Sequence, residues 1–478
     1  GMFSQSSGYL NKNGSVTLVS PNGGTDLLKN IESIQFNDIT VPLSQTITAA
    51  ELTYTVDPSK SFSFQLPVVS AGDGIVSLPG VVMNSSNSFQ FDFKGTVLAD
   101  GSTIDARIIS NGVVEVEKRT IDGTLDVNFG AKGLVDIPFG ASVNSLAVTQ
   151  NGLGNVLLAT SVGGSVSVYK FDQFSGAKTL LTSGYPVNSS LVDILSNSAG
   201  FYLVGGKYSS TPTIASFSNT GALNKTFAIT YGSESSTDAA ALASDGGLWT
   251  LSSAWGQGSS IYLNHFSSSG TLLQRVLTGS PQTGIYYSPL DVATDQSGNA
   301  FVAYGKVDWF GNKMQVVIQK YNASGNLVSD FGVNGTSTIL VDTYPASGTL
   351  AIDSTLHPIV AFNQGSETEV VKLSTLGTVE KIYSNINPPL GIPDALLRPT
   401  ADLAAGGVWE QSKWINIDSS GRVYIGVADQ SWVNNGSTWA SVSTPAIARF
   451  DAAGNPDMSF NESLPTYALK SYDGGAVP

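Results

Sequence analysis

From about residue 90 onward the chain alternates apolar and polar residues in short runs broken by Gly, Asn and Asp. "LDVATDQSGNAFVAYG", from Leu290, sets the type: an alternating run, a glycine turn, and a second alternating run. Period two around such a turn predicts a β-hairpin. The pattern recurs in "TVLADGSTIDARII" from Thr96, "LAVTQNGLGNVLLAT" from Leu146, "LVDILSNSAGFYLVGG" from Leu191 and "AALASDGGLWTLSS" from Ala240. "GTLAIDSTLHPIVAF" from Gly348 and "INIDSSGRVYIGVA" from Ile415 complete the series.

A second unit follows each hairpin. A strand ends in a basic residue and a bulky one, then a glycine turn, then another short strand, as in "VYKFDQFSGAKTL", "LNHFSSSGTL" and "IARFDAAGNP". Seven copies of about four strands, spaced by about 45 to 65 residues, predict an all-β fold, a β-propeller of seven four-stranded blades. The blades are expected to start near residues 90, 146, 191, 239, 290, 346 and 412. Residues 89–478 form the propeller in this reading, and residues 1–88 a small N-terminal β segment. Residues 44–88 are expected to cap the ring or to supply it with an edge strand.

Composition agrees. The chain has 478 residues, too many for one simple core, with 51 glycines and only 13% charged residues. An apolar share of 41% suffices for a packed interior. The net charge of −14 argues against nucleic acid or an anionic membrane as partner. Cysteine is absent, which excludes disulfides and thiolate chemistry. No apolar run of about 18 residues suggests membrane insertion. The chain has no signal-like start, and the opening Gly1-Met2 pair reads as a non-native remnant, so any native targeting signal is expected outside this sequence.

"VLADGSTIDARIISNGVVEVEKRTIDGTLDVNFGAKGLVDIPFG", from Val97, resembles the delta-60 repeat: a hairpin, a strand ending in a basic residue, then D-G-x-L-D-x-x-F-G-x-x-G. "NASGNLVSDFGVNGTSTIL" from Asn322 is a second copy, and "DAAGNPDMSF" from Asp451 a truncated third. The resemblance spans about residues 90–470. It implies a β-propeller in a secreted or surface-displayed bacterial protein and implies no reaction. "YLNKNGSVTLVSPNGGTDLLKNIESIQFNDITVPL", within residues 1–43, is similar to the segment flanking the calcium repeats of haemolysin-type (RTX-like) secreted proteins. The nonapeptide itself is missing, so that family's calcium sites do not carry over.

Enzyme signatures are few. His265 and His357 are the whole imidazole inventory. His265 occupies the repeated slot held elsewhere by Lys118, Lys170, Lys320, Lys372 and Arg449, and broken by Ser216. That slot reads as an inter-blade device rather than an anion-binding ring, its stems packed between blades and its charge reaching water or a turn aspartate. His357 precedes Pro358 in a hairpin turn, where exposure is expected. No histidine pair has metal spacing, and no G-x-S-x-G elbow or P-loop is present. The turns "DQSGN", "DSSGR" and "DAAGNPD" resemble fragments of calcium loops, yet the same residues dominate plain turns. No cofactor is expected beyond an occasional structural calcium.

In a propeller with strands A to D from the axis outward, B–C and D–A loops share one face. Trp255, Trp309, Trp432 and Trp439 fall in predicted B–C loops, and Trp409 in the long D–A connection from Ser384 to Gln411. With Asp308, Asn312, Asn434 and Asn435 they are the candidate ligand-binding residues of one rim. Tryptophans in polar loops suit stacking on sugars or anchoring a protein. The alternative is that they plug the loops and cap the channel. The expected function is an adhesin-like binding module at the bacterial cell surface, with a glycan or protein partner. The rivals are a carboxylate-based carbohydrate-active enzyme using Asp291, Asp308 or Glu410, and a structural spacer without ligand.

Overall fold

The computed structural model describes residues 74–78, 81–84, 91–383 and 409–460. Residue 111 and the short stretches 188–189, 208–211, 228–235, 255–258, 281, 365–366 and 435–438 fall outside it, while five short strands before residue 43 are included. Seven antiparallel sheets follow one another along the chain. The first strands of successive sheets contact one another, and the first strand of the last sheet contacts that of the first. The seven sheets are therefore the blades of a closed ring, and each first strand (A) lines its axis. These strands begin at Phe93, Val143, Ser190, Ser236, Ile285, Gly348 and Trp409.

Alternation explains the packing. In blade 1, Ile104, Ala106 and Ile108 of strand B (Thr103–Ser110) pack with Leu146, Val156, Leu158 and Phe171 of blade 2. In blade 7, alternate residues Val423, Ile425 and Val427 pack with Ile359, Ala361 and Val370 of blade 6, while Tyr424 and Ala428 turn to blade 1. Each sheet is buried on both faces, which is why its strands carry long apolar runs.

The ring closes with residues from both ends of the chain. Among the described residues, strand C of blade 7 (Trp439–Phe450) makes only the single bridge of Phe450 to Pro456 with the residues that follow it, and has no outer strand from them. Ile75–Ser77 and Val81–Asn84 supply one, with Ile75 opposite Ala448 and Asn84 opposite Ala440. Of the two roles expected for residues 44–88, this stretch takes that of edge strand, so the ring includes residues before position 88. Ahead of it, Ser7–Leu10, Val16–Val19 and Thr25–Leu28 form a three-stranded meander, and Ser33–Gln35 pairs with Thr40–Pro42.

The repeated Phe-Gly tail is a joint between blades. Phe129 is fully buried, with its ring 6.4 Å from that of Phe171 in blade 2. Gly130 adopts φ 55° and donates its amide to Ser175 O of blade 2 at 2.9 Å. A glycine accepts that left-handed backbone without penalty. The second copy repeats the joint: Gly332 donates to Leu376 O of blade 6 at 2.6 Å.

Candidate functional site

The rim loop of blade 5 joins strand B (Ala300–Asp308) to strand C (Lys313–Tyr321). Asp308 Oδ1 accepts the amides of Phe310 and Gly311 at 3.1 and 2.8 Å. Asn312 completes the turn with φ 48°, and Trp309 donates its amide to Gly284 O at 3.0 Å. The loop is thus held from within and from the neighbouring D–A connection. Its tip presents Trp309 at 62% exposure and Phe310 at 81%. Two large aromatic rings so displayed are costly in water and suit stacking against a partner.

The other rim candidates are placed differently. Trp432 and Asn434 lie in strand B of blade 7 (Val423–Asn434), and Trp439 opens strand C, directly opposite Asn434. They are strand residues of a long hairpin rather than the loop residues expected, because the ladder runs on to the tip and Val81–Asn84 pairs alongside it. Trp409 opens strand A of blade 7 (Trp409–Ile417), opposite Gln430, instead of sitting in a loop, and Glu410 lies opposite Asp429. Trp255, Asn435 and residues 384–408 of the D–A connection lie outside the described residues. The last two tryptophans were not candidates. Trp249 stacks on His265 at 4.1 Å, and Trp414 is buried against Phe93 of blade 1.

Below the rim, the axial channel carries charge that the periodicity did not reveal. Strand A of blades 2, 3, 4, 5 and 7 shifts register, at Asn144, Val192, Asp238, Leu290 and Lys413, so that Asp193 and Asp291 directly follow the shift in blades 3 and 5. A bulge re-aims a side chain, and here polar residues break the apolar run at the channel end nearer the B–C loops. Asp193 and Asp291 stand in blades 3 and 5, yet both lie within electrostatic reach of Lys94 of blade 1. Burial pushes Asp193 up to about 7, opposed by Lys94 and the Ile194 amide and reinforced by Asp291. Burial likewise raises Asp291 to about 6, and lowers Lys413 to about 8. Lys94 Nζ donates to Lys413 O at 2.9 Å. A polar residue at or just after the shift in five of the seven innermost strands was the signal in the sequence.

These carboxylates are engaged in structure. Asp291 Oδ1 accepts the Val292 amide and Oδ2 the Leu350 amide, both at 2.8 Å. Asp92 Oδ2 does the same for Leu146 of blade 2 at 3.1 Å, and Ser145 Oγ accepts from Leu191 of blade 3 at 3.0 Å. The turn aspartates are occupied too. Asp295 Oδ1 accepts the Ser297 and Asn299 amides at 2.9 Å, and Asp418 Oδ1 those of Ser420 and Arg422 at 2.9 and 3.0 Å. Asp451 Oδ1 accepts from Asn455 at 2.8 Å. Among the described residues no group of three or more histidines and carboxylates is placed to hold a metal, and no helix is long and apolar enough to cross a membrane.

The repeated basic slot forms ion pairs inside its own blade. Lys118 Nζ lies 2.8 Å from Asp126, Lys372 Nζ 2.8 Å from Asp353, and Arg449 Nε 2.9 Å from Asp457. His265 Nε2 is 3.3 Å from Asp245. Lys118 also reaches the next blade, with its ammonium 5.7 Å from the Phe174 ring centre. His357 is half-buried in its turn between Asp353 and Glu380.

No protein-family model and no curated relative matches the chain. Among solved structures it is similar to the Dos1 propeller, with 9% identity over 81% of this chain and 98% of that one, and a TM-score of 0.43. A protein of unknown function from Dyadobacter fermentans gives 10% identity over 79% of this chain and all of its own, with a TM-score of 0.39. A protein from Lactobacillus plantarum gives 14% identity over 61% and 83%, with a TM-score of 0.42.

Proposed function

We infer that the chain is a binding module of a secreted or surface-displayed bacterial protein, adhesin-like, which engages a glycan or protein with its B–C loop rim. The observation that carries this reading is the pair Trp309 and Phe310, exposed at the tip of a loop that Asp308 holds in shape. Aromatic anchors on a preformed loop bind at low ordering cost. The resemblance of residues 90–470 to delta-60 repeats, and of residues 1–43 to RTX-flanking segments, supports the bacterial surface location. Binding is preferred to hydrolysis because both oxygens of Asp291 accept backbone amides and Asp308 caps the loop.

A glycan-array screen and a pull-down with surface extracts, each run with wild type, Trp309→Ala and Phe310→Ala, test the reading. Wild-type binding that both variants lose by about tenfold or more is the expected result. Equal binding by all three proteins, or none by wild type in either format, would sink it.

A further inference from the structure

The interface between blades 7 and 1, where the two ends of the chain meet, differs from the others. Tyr424, Gly426 and Ala428 of blade 7 face the side of blade 1 that carries Asp105, Arg107, Glu115, Glu117 and Arg119, all five almost fully buried. They are neighbours by register, since Asp105 is opposite Glu117 and Arg107 opposite Glu115. The corresponding positions to Asp105 in the other six blades carry Leu158, Leu203, Thr250, Val302, Val360 and Ile425. Blade 1 alone places a charge-bearing group there.

The other four groups pair with one another, although Arg107 Nη1 is left without a hydrogen-bond partner. Arg107 Nε donates to Glu115 Oε1 at 3.1 Å, and Arg107 Nη2 contacts Glu115 and, at 3.3 Å, Glu117 Oε2. Arg119 pairs with the other oxygen of Glu117 and donates to Gly123 O at 2.9 Å. Two guanidiniums thus balance two carboxylates. Asp105 is the fifth group: it is 0% exposed, and neither of its oxygens has a hydrogen-bond partner. Opposite it, Gly95 leaves room for the Trp414 indole, which a Cβ would meet at 2.7 Å. Trp414 therefore closes this side from blade 7. The other charged or titratable groups that blade 7 presents among the described residues are Arg449, Tyr424, Arg422 and Asp418. They are already engaged, Arg449 with Ile121 O and Asp457, the Tyr424 hydroxyl with Gly101 O at 2.9 Å, and Arg422 Nε with Asp418 Oδ2 at 2.7 Å.

An ionised carboxylate with no partner in such a place is among the least favourable arrangements a fold can hold. We propose that the blade 7–blade 1 seam is a proton-locked closure, tight while the Asp105 carboxyl is neutral and loosened when it ionises. Burial first, and the negative Glu117 beside it, hold that carboxyl well above its ordinary range, with Arg119 and Arg107 opposing. The sign follows from linkage. The folded ring keeps a proton that the unfolded chain releases, so stability falls as pH rises from the ordinary carboxylate range through the folded-state value. The device tightens the ring in acid and eases it in alkali, at the joint between blade 1 and the blade that both ends of the chain build.

Infrared spectra of the intact chain at neutral pH test the protonation, and hydrogen exchange of residues 103–119 and 423–450 from about pH 6 to about pH 9 tests the opening. The wild type is expected to show a protonated-carboxyl band that Asp105→Asn lacks. Its seam amides, corrected for intrinsic exchange, should lose protection with rising pH, and those of Asp105→Asn should not. Asp105→Leu, which installs the side chain found at the same place in blades 2 and 3, should also fold and remove the pH dependence. Absence of the band, or equal pH dependence in wild type and variants, would overturn the proposal. So would failure of both variants to fold, because a seam locked by a proton tolerates a neutral substitute.

Discussion

The amide of Leu350 donates to Asp291 Oδ2 at 2.8 Å, tying the innermost strand of blade 6 to a side chain of blade 5. Asp291 is thereby a strut of the ring. Asp291→Ala leaves two amides without their acceptor and is expected to cost about 1 to 3 kcal/mol. Asp291→Asn keeps one acceptor oxygen and should cost less. Chemical denaturation of the three proteins checks the order, and equal stability of wild type and Asp291→Ala would refute it.

Asp193 and Asp291, pushed up to about 7 and about 6 by burial, give the channel its own pH response. Their folded-state values lie above the unfolded ones. The stability they contribute is present in acid and declines as pH rises from about 4 to about 7. Thermal melts of Asp193→Asn across that window should show a smaller decline than wild type.

Asp353 has the opposite sign. Burial alone would raise it, but hydrogen bonds from Lys372, the His357 amide and Thr355 outweigh burial and hold it at about 2. Its contribution is full above the ordinary carboxylate range and is lost as pH falls toward about 2. Lys372→Met should move the acid-unfolding midpoint to higher pH, measured by circular dichroism.

Asp308→Ala removes the acceptor for two loop amides and should cost about 1 kcal/mol. Trp309→Ala and Phe310→Ala, at exposed positions, should stay within about 0.5 kcal/mol of wild type. Any loss of ligand by the aromatic variants then reports contact, and denaturation curves separate the two effects.

A chain beginning at Ala71 retains the strands Ile75–Ser77 and Val81–Asn84 and should close its ring. A chain beginning at Phe91 leaves the edge of Trp439–Phe450 bare and should melt earlier and self-associate. Size-exclusion chromatography and thermal melts distinguish them.

The blades were legible because period-two alternation and glycine turns are local signals, repeated seven times. The closing strand was legible only as one of two options, because its partner, Ala448 opposite Ile75, lies at the far end of the chain. Trp309 was found because its loop departs from the repeat. Trp432, Trp439 and Trp409 were placed in loops because polar composition hides how far a ladder extends. Asp193 and Asp238 were missed because a register shift beside or at such a residue makes the strand look interrupted. Asp105 looked like one polar residue of an ordinary alternating run, and only the seam shows what faces it.

That Ile75 pairs with Ala448 also sets a timetable for biosynthesis. A ribosome delivers the closing strand before blade 1 and its partner only after blade 6, so six blades can be complete while residues 75–84 still await Trp439–Phe450. During that interval the waiting strand is open to any other edge in the cell, including the unfinished seventh blade of a second copy.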